Sequence, residues 1–327
     1  MNQLPILLKR EFWEHRVVFL YLPAVISTLM IGILILMGVG LRFDLAEVSV
    51  SESNSDGSAE EHYRLEVGPN SSEDINSQQT TLAPLVSRQL RIMSNAPFSY
   101  KERTLDELYA SVSAVLLFVL FFVIVFYLIG SLYEDRKDRS ILFWKSLPVS
   151  DGMTVLSKLL TAIVLAPVIF FVFIVLSHIA LLLVSTVLAL GEPIDLWDTL
   201  WAPANLISRW LYTAGFLLFW VLWCSPFTGW VLFISAWAKS VPLGWVVGIP
   251  LLLGILESVF TNSTAVSDFM TTHLFVEDFR AMISSHLPTV WNTRALSDVL
   301  LEVLVAVVFG MVFVGLAIRQ RGHADEL

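Results

Sequence analysis

The sequence predicts an all-α polytopic membrane protein with six transmembrane helices, and three observations carry that reading. Apolar residues make up 56% of the 327-residue chain and charged ones only 15%, with a mean hydropathy of +0.73. A soluble domain of this length would carry roughly a quarter charged residues, so a single water-soluble globule is excluded. Charge-free runs of about 20 residues, enough to cross a ~30 Å hydrocarbon layer as helix, recur between short charged stretches. Lysine and arginine fall mostly in alternate connections, as they do when a chain weaves through a bilayer. The lone Cys224 sits inside an apolar run, which rules out an intrachain disulfide framework or a cysteine-based metal site.

Residues 1–16 place Leu4, Leu7, Leu8 and Phe12 at helical spacing on one face and Lys9, Arg10, Glu14 and Arg16 on the other. That pattern predicts an amphipathic helix lying in the membrane surface. The first span, 17–41, is too long for a removable signal peptide and lacks its small-residue cleavage site, so it is expected to remain. An extracytoplasmic insert follows at 42–109, holding twelve acids and six bases, two thirds of the net charge of −9. Acidity thus belongs to one segment, and no nucleic-acid partner is expected. From Val48 to Thr81 the insert is polar, with weak alternation around His62 to Val67 that suggests a short hairpin. Helical spacing returns from Leu82 to Leu108, where Leu85, Leu90, Ile92 and Met93 form a candidate stripe on a surface helix. A solvated cap is the plain reading there; a docking surface for an extracytoplasmic partner is the sharper one.

The second span is expected at 110–133, a cytoplasmic segment at 134–158, and the third span at 159–190. Ser150 or Asp151 can cap a helix that meets no strong breaker before Pro167, giving a rod of about 60 Å as far as Leu190. Spans four and five are expected at 210–237 and 243–260. An outer helical loop at 261–297 repeats Phe269, Leu274, Phe279 and Ile283 at helical spacing, and suits the outer leaflet surface. The sixth span, 299–318, leads to a cytoplasmic tail, 319–327. Pro167, Pro226 and Pro250 are expected kinks. With the N-terminus inside, segments 1–16, 134–158, 238–242 and 319–327 hold eleven bases, and outer loops 191–209 and 261–297 hold three. Both termini are therefore expected in the cytoplasm. Trp13, Trp144, Trp237 and Trp245 fall near the inner interface, and Trp197, Trp201, Trp210 and Trp291 near the outer one.

The most informative stretch is 134–158. Six consecutive charged residues from Glu134 to Arg139 end span two; Ile141, Leu142, Trp144 and Leu147 then form an apolar group closed by Pro148, which disfavours helix at the residue before it. A short crosswise helix using both faces is what a membrane protein needs to engage a cytoplasmic partner. Here the sequence resembles the ABC-2 family of ABC-transporter permeases. In that family this segment reads as an acidic and basic patch, a Ser or Thr, an apolar run, Leu-Pro-Val, a Ser, and later a Lys entering the next span. The matching positions are Glu134, Arg136, Arg139, Ser140, Leu142, Leu147, Pro148, Val149, Ser150 and Lys158. Where many members carry Gly before the Ser or Thr, this chain carries Arg139. The large insert after span one looks like the branch linked to export and to maturation of extracytoplasmic metalloenzymes.

The resemblance implies an ABC-2 type transmembrane domain in the cytoplasmic (inner) membrane of a bacterium, working as an exporter and as a homodimer rather than with a second, related chain. It implies that this chain binds no cofactor and is not itself an enzyme. ATP and Mg would be held by two copies of a cytoplasmic ABC ATPase, which pushes on residues 139–150; no Gly-x-x-x-x-Gly-Lys-Ser/Thr loop occurs in this chain. Phe143, Trp144 and Leu147 are the expected buried contacts, since aromatic and apolar anchors dominate such interfaces, with Glu134, Arg136 and Arg139 setting orientation.

Other candidates are weighed against plainer roles. Glu257 and Glu302 are the acids nearest lipid depth, and snorkelling at the outer interface is the simpler reading than a gate or pathway. His178 suits helix packing better than proton relay. Trp220 and Phe227, with Phe216, Phe219, Trp223 and Trp230, could line an apolar path, although helix packing is the default. Glu14-His15 lacks the second His of a zinc-peptidase motif, so no metal is expected. A secondary transporter would show charged or broken helices at the midplane and an inverted repeat. An intramembrane enzyme would need convergent Ser, His or acids at depth. A non-transporting anchor or regulator of an enzyme complex stays open.

Overall fold

A computed structural model describes residues 3–42, 48–50, 63–65, 90–138, 149–274 and 296–323. α1, Gln3–Glu14, leads through a π-helical turn, Val17–Tyr21, into α2, Leu22–Arg42. A short antiparallel ribbon pairs β1, Val48–Val50, with β2, Tyr63–Leu65, Val48 standing opposite Leu65. Residues 90–95 are helical. α3 covers Phe98–Ser131, and α4, Tyr133–Lys137, follows a break at Leu132. α5, Asp151–Leu160, continues through a π turn at Thr161–Leu165 into α6, Ala166–Ala189. A third π turn, Trp197–Trp201, and a short helical turn, Ala202–Ala204, precede α7, Leu206–Trp223. α8, Ser225–Trp237, α9, Pro242–Thr261, α10, Ala265–Leu274, and α11, Leu296–His323, complete the described chain.

Among the described residues, six helical stretches are long and apolar enough to cross a membrane: Val17–Leu36, Phe98–Lys137, Asp151–Ala189, Trp197–Trp223, Pro242–Thr261 and Ser297–His323. Apart from the short β1–β2 ribbon, the described residues have the helical architecture of a polytopic membrane protein. Two boundaries differ most from expectation: the helix of span two begins at Phe98, inside the expected insert 42–109, and span four is shifted. The run 210–237 does not form one helix, because Cys224 (φ −81°, ψ 6°) divides it into α7 and α8. Pro226 then stands in the first turn of α8, where the missing N–H costs nothing. The fourth span instead begins among the helical residues at Trp197, with Asn205 left-handed (φ 43°) ahead of α7.

The prolines explain the π turns. Each turn ends two residues before one: Tyr21 before Pro23, Leu165 before Pro167, Trp201 before Pro203. A helical proline clashes with the carbonyl four residues back and cannot bond it. Those carbonyls belong to Phe19, Ile163 and Thr199, at the centre of each π turn, and widening the helix by one residue relieves the clash. α9, by contrast, runs through Pro250.

The chain forms two compact units. In the unit of Ile26–Val112 and Val175–Leu206, Met93, Leu105, Tyr109, Leu181, Leu182 and Leu200 form the core. Leu90 and Met93 of the expected stripe pack here, whereas Ile92 is turned outward at 47% exposure and Leu85 lies outside the described residues. Lys101 Nζ donates to Asp198 Oδ2 at 2.7 Å, its stem buried along the apolar surface. His178 is fully buried, with Nε2 3.1 Å from the Tyr109 carbonyl and its ring edge-on to the Tyr109 ring, which is a packing role.

The second unit holds Met1–Val25, Ser113–Ile174 and Ile207–Leu327. α8 and α11 pack closest where glycines meet: a Cβ on Gly229 would lie 2.7 Å from the Gly310 carbonyl oxygen, and one on Gly310 2.7 Å from that of Ser225. Only a residue without a side chain lets the two backbones touch.

Candidate functional site: an ionic chain at the stems of residues 139–148

The segment singled out by sequence enters from α4 and leaves into α5. Arg139, Ser140, Leu142, Phe143, Trp144, Leu147 and Pro148 lie outside the described residues. The two stems are described, and they carry a chain of alternating charge. Arg10 donates to the Glu11 carboxylate at 2.7 Å, and Lys158 Nζ lies 3.4 Å from it. Lys158 is also 3.5 Å from Asp135, Asp135 is 3.1 Å from Arg321, and Arg321 is 3.3 Å from Asp151. Glu11, Lys158 and Arg321 are all buried, at 1%, 3% and 3% side-chain exposure.

Each member reaches the chain by local logic. Glu11 sits one turn after Leu7 on the inward face of α1, and Tyr127 of α3 donates its hydroxyl to it at 2.9 Å. His15 and Phe19 pack on the Tyr127 ring, with centroids 4.9 and 5.3 Å away. Ser150 caps α5, its hydroxyl accepting the Met153 N–H at 3.2 Å, which starts the helix that carries Asp151 and Lys158. Arg321 lies in the last turn of α11, so span six joins both stems through one guanidinium.

The entry stem has a second anchor. The Arg136 guanidinium donates to the Ser235 and Ala238 carbonyls at 2.9 and 2.7 Å, satisfying the orphaned end of α8. The Ser235 hydroxyl donates to the Ile129 carbonyl at 2.8 Å and accepts the Leu132 and Tyr133 N–H groups across the break after α3. Arg136 is buried at 5% exposure, so it is an internal strut and its charge does not face a partner as the sequence suggested. Glu134 is exposed and remains available at the surface.

Burial pushes the Glu11 carboxyl up. The charges of Lys158 and Arg10, the Tyr127 hydrogen bond and the nearby His15 outweigh burial and hold it below the ordinary glutamate value. Glu11, Glu14 and His15 bring ligand atoms within 4.8 Å of one another, the spacing of a cation site. Lys158 and Arg10 already neutralise the Glu11 carboxylate there, and their charges oppose a further cation.

The remaining candidates have local partners. Glu257 accepts the Val266 N–H at 2.8 Å and the Ser263 hydroxyl at 2.9 Å, so it caps the start of α10. Glu302 is half-buried on α11. Trp220 and Phe227 both pack on Phe121, with ring centroids 6.4 and 6.3 Å away, which makes them packing side chains of α7 and α8 on α3. Sequence reading missed Glu11, Tyr127, Asp135 and Arg321 as a group. The visible signal was Glu11 itself, an acid within the Leu7, Leu8 and Phe12 stripe.

The described residues fit a helical multi-pass membrane protein whose charged cluster ties together the two helical stems that flank residues 139–148. No family model matches the chain, nor does any curated protein or solved structure.

Proposed function

We propose that this chain is the permease subunit of an ATP-driven ABC-2 type transporter, an exporter, with both termini in the cytoplasm of a bacterial cell. It acts as a homodimer with two copies of a separate ABC ATPase, which hold ATP and Mg. The observation that carries this reading is the bracing of both stems of 139–148 by Arg321, with Lys158 and Glu11 extending the brace to spans three and one. A loop that only linked two spans would need no buried ionic support, which is costly to desolvate. Force applied to such a braced loop would pass into α1, α5 and α11 together. The eleven bases on segments 1–16, 134–158, 238–242 and 319–327 support this orientation.

The test is to purify the tagged protein in mild detergent and ask whether a Walker-motif ATPase accompanies it and hydrolyses ATP. Trp144→Ala and Leu147→Asp should leave assembly in the membrane intact and uncouple hydrolysis from transport. A chain that purifies without an ATPase would favour a secondary transporter or a membrane anchor instead.

A further inference from the structure

The leucine face of α1 is not the one left for lipid. Leu7 is buried, Leu4, Leu8 and Phe12 are half-buried, and Glu11 shares their side, so this face packs on the protein. The opposite face carries Ile6, Trp13 and Val17, exposed at 59%, 55% and 62%. Lys9 and Arg16, also exposed, lie between these apolar residues at the same helical spacing.

The pairing of charges sharpens the picture. Arg10, at the edge of this face, is taken by Glu11 and by Glu14, which lies 3.5 Å away. Among the described residues neither Lys9 nor Arg16 has an acidic partner; Arg16 instead lies over the Trp13 ring, 5.9 Å from its centroid. Both acids of α1 thus pair with Arg10, and among the described residues Lys9 and Arg16 have no acidic partner beside the exposed Trp13 indole.

We propose that the Ile6–Lys9–Trp13–Arg16 face binds the headgroups of anionic phospholipids in the cytoplasmic leaflet. Ile6, Trp13 and Val17 enter the acyl boundary, and Lys9 and Arg16 meet the lipid phosphates above it. A zwitterionic headgroup offers the same apolar boundary without the net charge, so the face should discriminate between the two. This inference rests on α1 lying at the cytoplasmic surface, as proposed above, and not on an ATPase partner, so either idea can fail alone.

The full-length protein, delipidated in detergent, is mixed with equal amounts of phosphatidylglycerol and phosphatidylcholine, and the bound lipids are counted by native mass spectrometry. The wild type should retain phosphatidylglycerol with up to roughly thirtyfold preference, as two bases near an anionic surface would give. Lys9→Gln/Arg16→Gln should bring that preference close to parity, whereas Lys239→Gln, at another exposed base, should leave it unchanged. Thermal unfolding of each variant checks that α1 still packs. The proposal is overturned if the wild type shows no preference, if the folded double variant keeps it, or if Lys239→Gln lowers it equally. Should the double variant fail to fold, Lys9→Gln and Arg16→Gln alone carry the test, each expected to lose about a fivefold part of the preference.

Discussion

A carboxylate with 1% exposure survives in α1 because three donors converge on it. Removing one partner of a buried pair leaves the other charge stranded, at a cost of about 3 kcal/mol or more. Glu11→Ala should therefore destabilise the protein by about 3 kcal/mol, and Tyr127→Phe by about 1 kcal/mol, read as thermal unfolding in detergent. Because the Glu11 pKa is held below its ordinary value, its stabilising effect is complete above the unfolded glutamate value of roughly 4.3. It disappears as pH falls through the lower folded value. The gap between wild type and Glu11→Ala should stay constant from neutral pH down to about 5 and narrow under stronger acid; a gap that persists undiminished at low pH contradicts the ionic account. At this scale the sequence was partly legible. Ser150 was readable as a cap because capping is local. The partners of Glu11 were not, because Tyr127 and Lys158 come from distant elements and share no spacing.

Among elements, spans were legible and their interruptions less so. Apolar length marks a span whatever it packs against, which is why the six runs emerged from hydropathy. Pro167 was readable as a disturbance, yet the disturbance is a widened π turn, and the same rule at Pro23 and Pro203 lies close to the ends of spans. The break at Cys224 falls two residues before Pro226, the kink expected in the fourth span, although no charged residue marks that the helix ends there. The glycine crossing of α8 on α11 makes a sharp contrast. Gly229→Ala or Gly310→Ala drives a methyl to 2.7 Å from backbone oxygen and should cost about 1–3 kcal/mol. Gly215→Ala in α7 and Gly315→Ala in α11 meet nothing within 4 Å and should stay within about 0.5 kcal/mol of wild type. Equal gains of up to about 1 kcal/mol at all four would mean that alanine's higher helix propensity, not the crossing, decides. Arg136 teaches the complementary lesson: a charge run after a span reads as surface, but one member turned inward because the carbonyls ending α8 needed a donor.

For the whole molecule, the question is whether motion at 139–148 can reach the spans. Arg321 is the shortest route, since one guanidinium contacts Asp135 before the segment and Asp151 after it. Without it, the stems keep the Lys158–Asp135 pair and their own anchors, Arg136 on α8 and Lys158 beside Glu11. Spin labels on cysteines at positions 138 and 323, both exposed, would report the gap between the entry stem and the end of α11. The buried Cys224 should not label. The wild-type background should give a narrow distance distribution. Arg321→Ala should broaden it, and Arg321→Lys should broaden it less, because a lysine cannot reach both carboxylates with a planar fork. Should an ATPase be found to accompany the chain, added nucleotide should shift the narrow distribution in the wild type and leave the Arg321→Ala distribution unmoved. A distribution that stays narrow in Arg321→Ala would mean that the stems are held by Arg136 and Lys158 alone. Force would then pass to α8 and α1, bypassing span six.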